Sequence, residues 1–339
     1  MGIALYSIYS MANHACRPAA SYSFLPQRSG PVLSLRVLRP VAVGEELTVC
    51  YTDPLGSRSA ARQHLAHTYC FACDCGRCSQ EEVADCDPEP PEGKLARGPL
   101  EGGPQAEAAD AAEEVVEAAR EKLLVEGESA ACLAVLRPLL LALSSSISPQ
   151  PLHVAIEALC LAIPACSLGA RVLSPGAAAR PLAAAAAMYA VVRAVLADCA
   201  VDEGELGAMQ SCGRFWLEAG ERLIRAANII DFGATDNGAT GEENGISDSS
   251  SSVLADARLW LASVAPSERL PQLRELAREG PPGLSAFSSR SSPGVRDAAL
   301  ACLGRAEQLL GLACGREHPL AAHAVSLARG LGPDVAKIM

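Results

Sequence analysis

Lysine is scarce in this sequence, which has only Lys94, Lys122 and Lys337. Acidic residues outnumber basic ones by 39 to 28, and the formal net charge is −11. Binding to a phosphate backbone requires a basic surface, so this charge argues against nucleic acid as a direct partner. An acidic surface suits basic protein partners, although it equally keeps an ordinary protein in solution.

Long uncharged apolar runs are also missing. No stretch of 18 or more apolar residues is free of charge, so the sequence predicts no membrane span. Residues 1–10 have neither a basic n-region nor a small-residue cleavage site, which excludes a typical signal peptide. A reducing compartment, cytoplasmic or nuclear, is therefore expected. The 14 cysteines are expected to be thiols or metal ligands rather than disulfides.

Residues 1–80 contain most of the aromatic side chains and a strand-like pattern. Two short β-branched runs, 32–38 and 46–51, are bounded by turn-forming residues and predict strands. Residues 58–69 predict a short helix with Leu65 facing inward. This part of the chain is therefore expected to be β-rich.

The rest of the chain predicts an acidic linker and a helical domain. Residues 85–105 are acidic and rich in proline and glycine, which is typical of a linker. Residues 106–332 have helical spacing, and short loops between paired helices favour a TPR-like stack, although no clean 34-residue repeat is present. Within this domain, residues 233–252 predict a disordered insertion. The expected helices include 130–145, 151–163, 180–199, 206–230, 253–263, 268–279, 294–312 and 318–331. The fold class is α+β.

A dense cysteine cluster is the clearest chemical signal. Cys73, Cys75 and Cys78 place three thiols within six residues, a pattern typical of a metal site in a reducing compartment. Structural Zn2+ takes four soft ligands in a closed tetrahedron, so a fourth is required. An iron–sulfur cluster would use the same four thiolates, and an accidental grouping of thiols is the structural alternative. Spacing leaves three candidates for the fourth ligand: Cys16, Cys70 and Cys86.

Three motifs occur in a fixed order within residues 13–78. Residues 13–18 (NHACRP) resemble the N-H-x-C-x-P-N motif of SET domains. Residues 44–51 (GEELTVCY) resemble the G-E-E-L-x-x-x-Y segment, and residues 69–78 (YCFACDCGRC) resemble the post-SET run. Together they resemble SET-domain protein-lysine methyltransferases of the SET-and-MYND (SMYD) type. Residues 306–320 are similar to the last helices of the SMYD helical domain.

The resemblance implies a domain order and an activity. Residues 1–55 correspond to the C-terminal half of a SET domain, residues 56–84 to the post-SET zinc region, and the helical domain follows the linker. The implied activity is S-adenosyl-L-methionine-dependent N-methylation of a lysine in a histone or another protein. A peptide or chaperone partner is expected for the helical domain.

The resemblance also implies residue roles. Asn13 and His14 are expected to contact S-adenosyl-L-methionine, the histidine mainly through its backbone. Phe71 is expected to pack on the adenine. Tyr51 is expected to be the catalytic hydroxyl and to line the cofactor pocket. On the metal side, the family pattern makes Cys16 the fourth Zn2+ ligand with Cys73, Cys75 and Cys78.

The sequence departs from the family pattern at its start. Only 12 residues precede Asn13, so the Gly-rich cofactor loop, the first SET strands and the MYND module have no counterpart. Ala19 stands where the family has a second asparagine. These departures predict an N-terminally truncated chain with weak or no methyl transfer by itself. The alternative function is a non-catalytic, zinc-stabilised interaction module with a TPR-like peptide groove.

Overall fold

The computed structural model describes residues 6–28, 30–75, 78, 104–145, 152–172, 179–234, 244–264, 273 and 293–331. Within these residues, a two-stranded sheet and a short helix are followed by eight longer helices. This arrangement confirms the α+β class with a small β part before a helical domain. The predicted linker lies outside the described residues up to the first residues of the next helix.

The sheet is an antiparallel hairpin. Strand β1 (Ala20–Leu25) pairs with β2 (Val32–Val37), with Ala20 opposite Val37 and Leu25 opposite Val32. β2 confirms the strand predicted at 32–38. β1 has no counterpart among the predicted strands, although its tyrosine and phenylalanine alternate with serines in the period of a strand.

The strand predicted at 46–51 is wrong. Within it only Val49 forms a bridge, a parallel one to His14. The backbone hydrogen bonds of this segment go to residues 13–20, of which only Ala20 belongs to a strand; Ala20 N donates to Thr48 O at 3.0 Å. Because the segment meets only the first residue of β1, no continuous ladder forms despite the β-branched sequence.

Helix α1 (Arg58–Thr68) agrees with the helix predicted at 58–69. Ser57 caps it, since its side chain accepts a hydrogen bond from Ala60 N at 3.4 Å. Leu65 is 1% exposed, which confirms its inward orientation. The helix ends immediately before the segment that contains the three clustered cysteines.

Helix α5 (Ala179–Asp202) packs against α4 (Leu152–Val172), α6 (Met209–Ala234) and α7 (Asn244–Val264). A short 3-10 helix, Leu206–Ala208, precedes α6. The predicted helix at 268–279 lies outside the described residues except for Leu273, and the TPR-like description stays a prediction. The bounds are α2 Pro104–Leu124, α3 Ser129–Ser145, α4 Leu152–Val172, α5 Ala179–Asp202, α6 Met209–Ala234, α7 Asn244–Val264, α8 Pro293–Ala313 and α9 Pro319–Gly330.

Two boundaries differ from the predictions because burial outweighs local propensity. Helix α4 continues past Pro164, where the sequence predicts its end, through the fully buried Ala165 and Cys166. Helix α7 begins at Asn244, so residues 244–252 of the predicted disordered insertion are helical. Ser250 is only 4% exposed, and this tertiary packing offsets a run of weak helix formers.

Helices α4 and α5 contain segments long and apolar enough to cross a membrane, judged by length and composition alone. In the most apolar window of each, 56% and 83% of the residues are buried inside the protein. Such burial is typical of core helices in a folded domain. The absence of a membrane partner stays a prediction.

The β part rests directly on the helical domain. Arg17 Nε donates to Glu205 Oε1 at 3.3 Å. A Cβ added to Gly207 would lie 3.0 Å from the ring of Pro18, so the two backbones approach closely there. Leu55 belongs to the same buried core as the helices. The segment that carries Cys16 is therefore held on a rigid support.

Two glycines allow α6 and α8 to pack closely. A Cβ at Gly213 would lie 2.8 Å from Leu310 Cγ, and one at Gly220 would lie 2.8 Å from Leu303 Cγ. The two glycines are seven residues apart on α6, and the two leucines are seven residues apart on α8. Both contacts therefore fall on one face of each helix. The absence of a side chain at these positions lets the leucines enter the groove.

We expect Gly213→Ala to destabilise the protein by about 1 kcal/mol. Overpacking costs about 1–3 kcal/mol, which exceeds the gain of about 1 kcal/mol in helix propensity. The matched control is Gly304→Ala in α8, where a Cβ would meet nothing within 4 Å, and this change should stabilise by about 1 kcal/mol. Urea denaturation of both variants gives the free energies of unfolding. Equal stabilisation by the two changes would contradict the packing argument.

Candidate metal centre and active site

Four cysteine sulfurs converge in the β part of the molecule. The Sγ atoms of Cys16, Cys73, Cys75 and Cys78 all lie within 4.8 Å of one another. Cys16 Sγ lies 3.6 Å from Cys78 Sγ and 3.9 Å from Cys73 Sγ. A tetrahedral site with Zn–S bonds of about 2.3 Å has sulfurs about 3.8 Å apart. The donor set and its spacing therefore fit a closed zinc site.

Of the other two candidates for the fourth ligand, Cys70 does not join this cluster. Cys70 is exposed, and Cys86 lies outside the described residues. The backbone at Cys70 has φ +59°, the left-handed region that residues with a side chain seldom adopt. Cys70 therefore forms a turn between Tyr69 and Phe71, on the segment that leads to the cluster.

Separate elements bring the four cysteines together. Cys16 lies on a segment bonded to Val49: Val49 N donates to Asn13 O at 2.9 Å, and Ala15 N donates to Val49 O at 3.0 Å. The other three follow α1, from which Arg62 Nη2 donates to Cys78 O at 3.4 Å. The distant cysteine and the local three thus come from two separate segments of the chain.

The thiols of Cys73 and Cys16 are poor acids without a cation. Burial raises the pKa of Cys73 to about 11; a backbone hydrogen bond from Cys75 opposes this rise, and the thiols of Cys75 and Cys78 add to it. Burial and the Cys78 thiol also raise the pKa of Cys16 above its ordinary value. Four thiolates so close together require a compensating positive charge, and a divalent metal ion supplies it.

Tyr51 lies beside this centre. Its hydroxyl donates a hydrogen bond to Ala12 O, and its ring centroid lies 4.8 Å from that of Tyr69. Burial, followed by the charges of Tyr69 and Glu46, raises the pKa of Tyr51, which keeps the hydroxyl protonated. Tyr69 is absent from the predicted site residues, although it opens the Tyr69–Cys78 run.

This geometry coincides with a match to known proteins. The SET-domain family profile matches residues 3–52. The chain is 45% identical over 86 residues to the histone-lysine N-methyltransferase SMYD3 of Homo sapiens, a stretch that covers 25% of the chain and 19% of that relative. The N-terminal part of the chain is a SET-domain segment of the SMYD type.

Other relatives match a similar length of the chain. The protein-lysine N-methyltransferase SMYD4 of Mus musculus is 35% identical over 82 residues, or 23% of this chain and 10% of that protein. The histone-lysine N-methyltransferase ASHR1 of Arabidopsis thaliana is 32% identical over 78 residues, or 23% and 15%. The match covers less than one fifth of the length of each of these relatives.

Predicted cofactor residues from the SET segment and from the chain after α1 lie close to one another. The ring of Phe71 is 36% exposed, and its centroid lies 6.1 Å from that of His14. Asn13 is exposed, and its Nδ2 donates to Glu46 Oε1 at 2.5 Å. An exposed aromatic ring beside an amide and an imidazole fits one side of a site for a nucleoside. The roles of these residues as cofactor ligands stay predictions.

Proposed function

We propose that the protein acts in S-adenosyl-L-methionine-dependent N-methylation of a lysine in a histone or another protein. The main support is that Tyr51 is linked through His14 to Cys16 of the cysteine cluster, on a segment that matches the SET domain. The relatives with this segment include enzymes named histone-lysine and protein-lysine N-methyltransferases. The substrate is a protein that presents a lysine, such as a histone tail.

We assign a structural role to the metal. Cys16, Cys73, Cys75 and Cys78 would hold Zn2+ with no open position, so the ion contributes folding energy rather than Lewis acidity. It would fasten the Asn13–Cys16 segment to the chain after α1. That chain contains Tyr69 and Phe71, so the metal would also fix the ring of Tyr69 beside Tyr51 and the ring of Phe71 beside His14.

The bound cofactor supplies a methyl group on a sulfonium, and the protein contributes alignment. Tyr51 donates its hydroxyl hydrogen to Ala12 O, which leaves the phenolic oxygen free to accept a hydrogen bond from the substrate amine. This contact would orient the nitrogen lone pair. The adjacent ring of Tyr69, 45% exposed, offers an apolar wall for the lysine stem.

The first test is binding of the cofactor. Calorimetry on the zinc-loaded protein is expected to show saturable binding of S-adenosyl-L-methionine and of S-adenosyl-L-homocysteine, the molecule that remains after methyl transfer. Tritium transfer to histones and to other proteins then measures turnover, including slow turnover. A zinc-loaded, folded protein that binds neither molecule would contradict the proposal and would favour the non-catalytic interaction module instead.

We expect Tyr51→Phe to lower methyl transfer about 100-fold, the usual effect of removing one oriented hydrogen-bonding group from an active site. Zinc content and cofactor affinity should change little, because the ring remains. Tyr22→Phe is the matched control: it removes a tyrosine hydroxyl on β1, whose ring packs against Tyr9 at 4.8 Å, and should leave turnover unchanged. Initial rates from tritiated cofactor measure both. A full rate for Tyr51→Phe would remove the tyrosine from the mechanism.

A further inference from the structure

The imidazole of His14 contacts polar groups on both sides. Tyr51 N lies 3.1 Å from His14 Nδ1. His14 Nε2 lies 3.5 Å from Cys16 Sγ. One ring therefore spans the distance between the backbone of the candidate catalytic tyrosine and a candidate metal ligand.

The first contact determines the second. A backbone N–H can only donate, so His14 Nδ1 accepts from Tyr51 and carries no hydrogen. In the neutral imidazole the hydrogen then resides on Nε2, which faces Cys16 Sγ. A thiolate at Cys16 is an acceptor, and an N–H···S hydrogen bond to it is charge-assisted.

The surrounding backbone holds the ring in this position. His14 forms the parallel bridge with Val49, and the hydroxyl of Tyr51 returns to Ala12 O. The two segments are thus joined before and after His14, and the half-buried ring lies between them. Its centroid is 5.4 Å from the ring of Tyr51.

We propose that His14 is a positioning residue that couples the metal centre to Tyr51 through its side chain. Its Nε2–H disperses charge from the Cys16 thiolate and orients Sγ toward the ion, and its Nδ1 holds the backbone of Tyr51. This inference rests on the proposed zinc site, and it adds a side-chain function to the predicted backbone role of His14.

Two substitutions distinguish the acceptor role of His14 Nδ1 from the donor role of His14 Nε2. In His14→Asn, the amide oxygen can replace Nδ1 as acceptor for Tyr51 N–H, but no donor reaches Cys16. In His14→Gln, the longer side chain can place an amide N–H where Nε2 was. Groups that orient a metal ligand from the outer shell contribute 10–100-fold to metal affinity as a rule. We therefore expect His14→Asn to weaken zinc binding at least about tenfold, and His14→Gln to remain near wild type.

The experiment measures zinc transfer to a chromogenic chelator and the absorption of the cobalt-substituted protein. His14→Asn should release zinc faster and shift the sulfur-to-cobalt charge-transfer band, whereas His14→Gln should do neither. Far-UV circular dichroism checks that the helical domain stays folded. A wild-type protein that takes up no metal refutes the zinc site itself. Wild-type behaviour of His14→Asn, or equal losses in both variants, refutes the role of the Nε2 donor while leaving the zinc site in place.

Discussion

Replacing Cys16 with serine is expected to abolish tight zinc binding. A serine hydroxyl is a hard, neutral donor, and the site would keep three thiolates of four. Structural zinc sites contribute about 10–16 kcal/mol of binding energy at neutral pH, which is also folding energy. We expect affinity to fall by at least about 100-fold, more than the loss of an outer-shell contact. Metal analysis after dialysis, on wild type and variant, measures this directly.

Two control variants show whether a loss of zinc is specific to Cys16. Cys70→Ser removes a thiol three residues before Cys73 but outside the cluster, and this variant should keep a full complement of zinc. Cys50 lines the same cavity as Cys16, so it is the thiol best placed to replace a missing ligand. Cys16→Ser combined with Cys50→Ser excludes that rescue. Unchanged zinc in the double variant would remove position 16 from the site and the physical basis of the proposed function.

A loss of zinc should be local in its structural effect. Apart from Leu55, the described residues of the continuous hydrophobic core lie in the helical domain, where Trp216 and Tyr189 are almost fully buried. The far-UV signal at 222 nm should therefore change little in Cys16→Ser. The fluorescence of the tyrosines around the SET segment should change, because Tyr51 and Tyr69 are positioned by the chain that the metal fastens.

The site could be predicted from the sequence because most of its chemical groups lie in short local motifs. The three clustered thiols indicate a metal by spacing, but spacing alone left Cys16, Cys70 and Cys86 open as the fourth ligand. Only the family resemblance named Cys16, and the structure brings this sulfur to the other three. The bridging imidazole of His14 was beyond prediction, since it depends on where Tyr51 N lies in space.

The secondary structure, too, could be predicted only where it depends on local sequence. The helices at 130–145, 180–199 and 294–312 have periodic apolar faces, and the structure contains each within a few residues. The failures occur where tertiary contacts outweigh local preference. The β-branched run at 46–51 meets only the first residue of β1, and Ser250 near the start of α7 is buried. The sequence of each segment does not indicate which other part of the chain packs against it.

Replacing Glu218 with glutamine is expected to cost about 3 kcal/mol of unfolding free energy. Glu218 pairs with Arg193 and with Arg222, the latter at 3.0 Å. The guanidinium of Arg193 is nearly inaccessible and lies 4.1 Å from the ring centre of Phe215. Removing the carboxylate leaves that charge buried without compensation, a change that costs about 3–5 kcal/mol. The lower value applies because one third of the Glu218 side chain is exposed.

Two comparisons isolate the burial of the charge. Glu126→Gln breaks an exposed ion pair with Lys122, and it should cost less than about 0.5 kcal/mol. Arg193→Met combined with Glu218→Leu removes both buried charges, and it should recover most of the stability. Urea denaturation of wild type, Arg193→Met, Glu218→Leu and the double variant completes the cycle. If Glu218→Gln unfolds like Glu126→Gln, the buried pair contributes no more than a surface pair.

The pH dependence gives an independent measure of the same pair. Burial of the Glu218 carboxyl disfavours its ionisation, but the charges of Arg193 and Arg222 and their hydrogen bonds outweigh this, so the pKa of Glu218 lies below its ordinary value. A folded-state pKa below the unfolded one adds stability that is complete above the unfolded pKa of about 4.3 and is lost as the pH falls toward the folded value. Wild type should therefore lose more stability than Glu218→Gln between pH 7 and acidic pH. Parallel losses in the two proteins would show that Glu218 stays protonated or unpaired, and the buried guanidinium of Arg193 would then need another counter-charge.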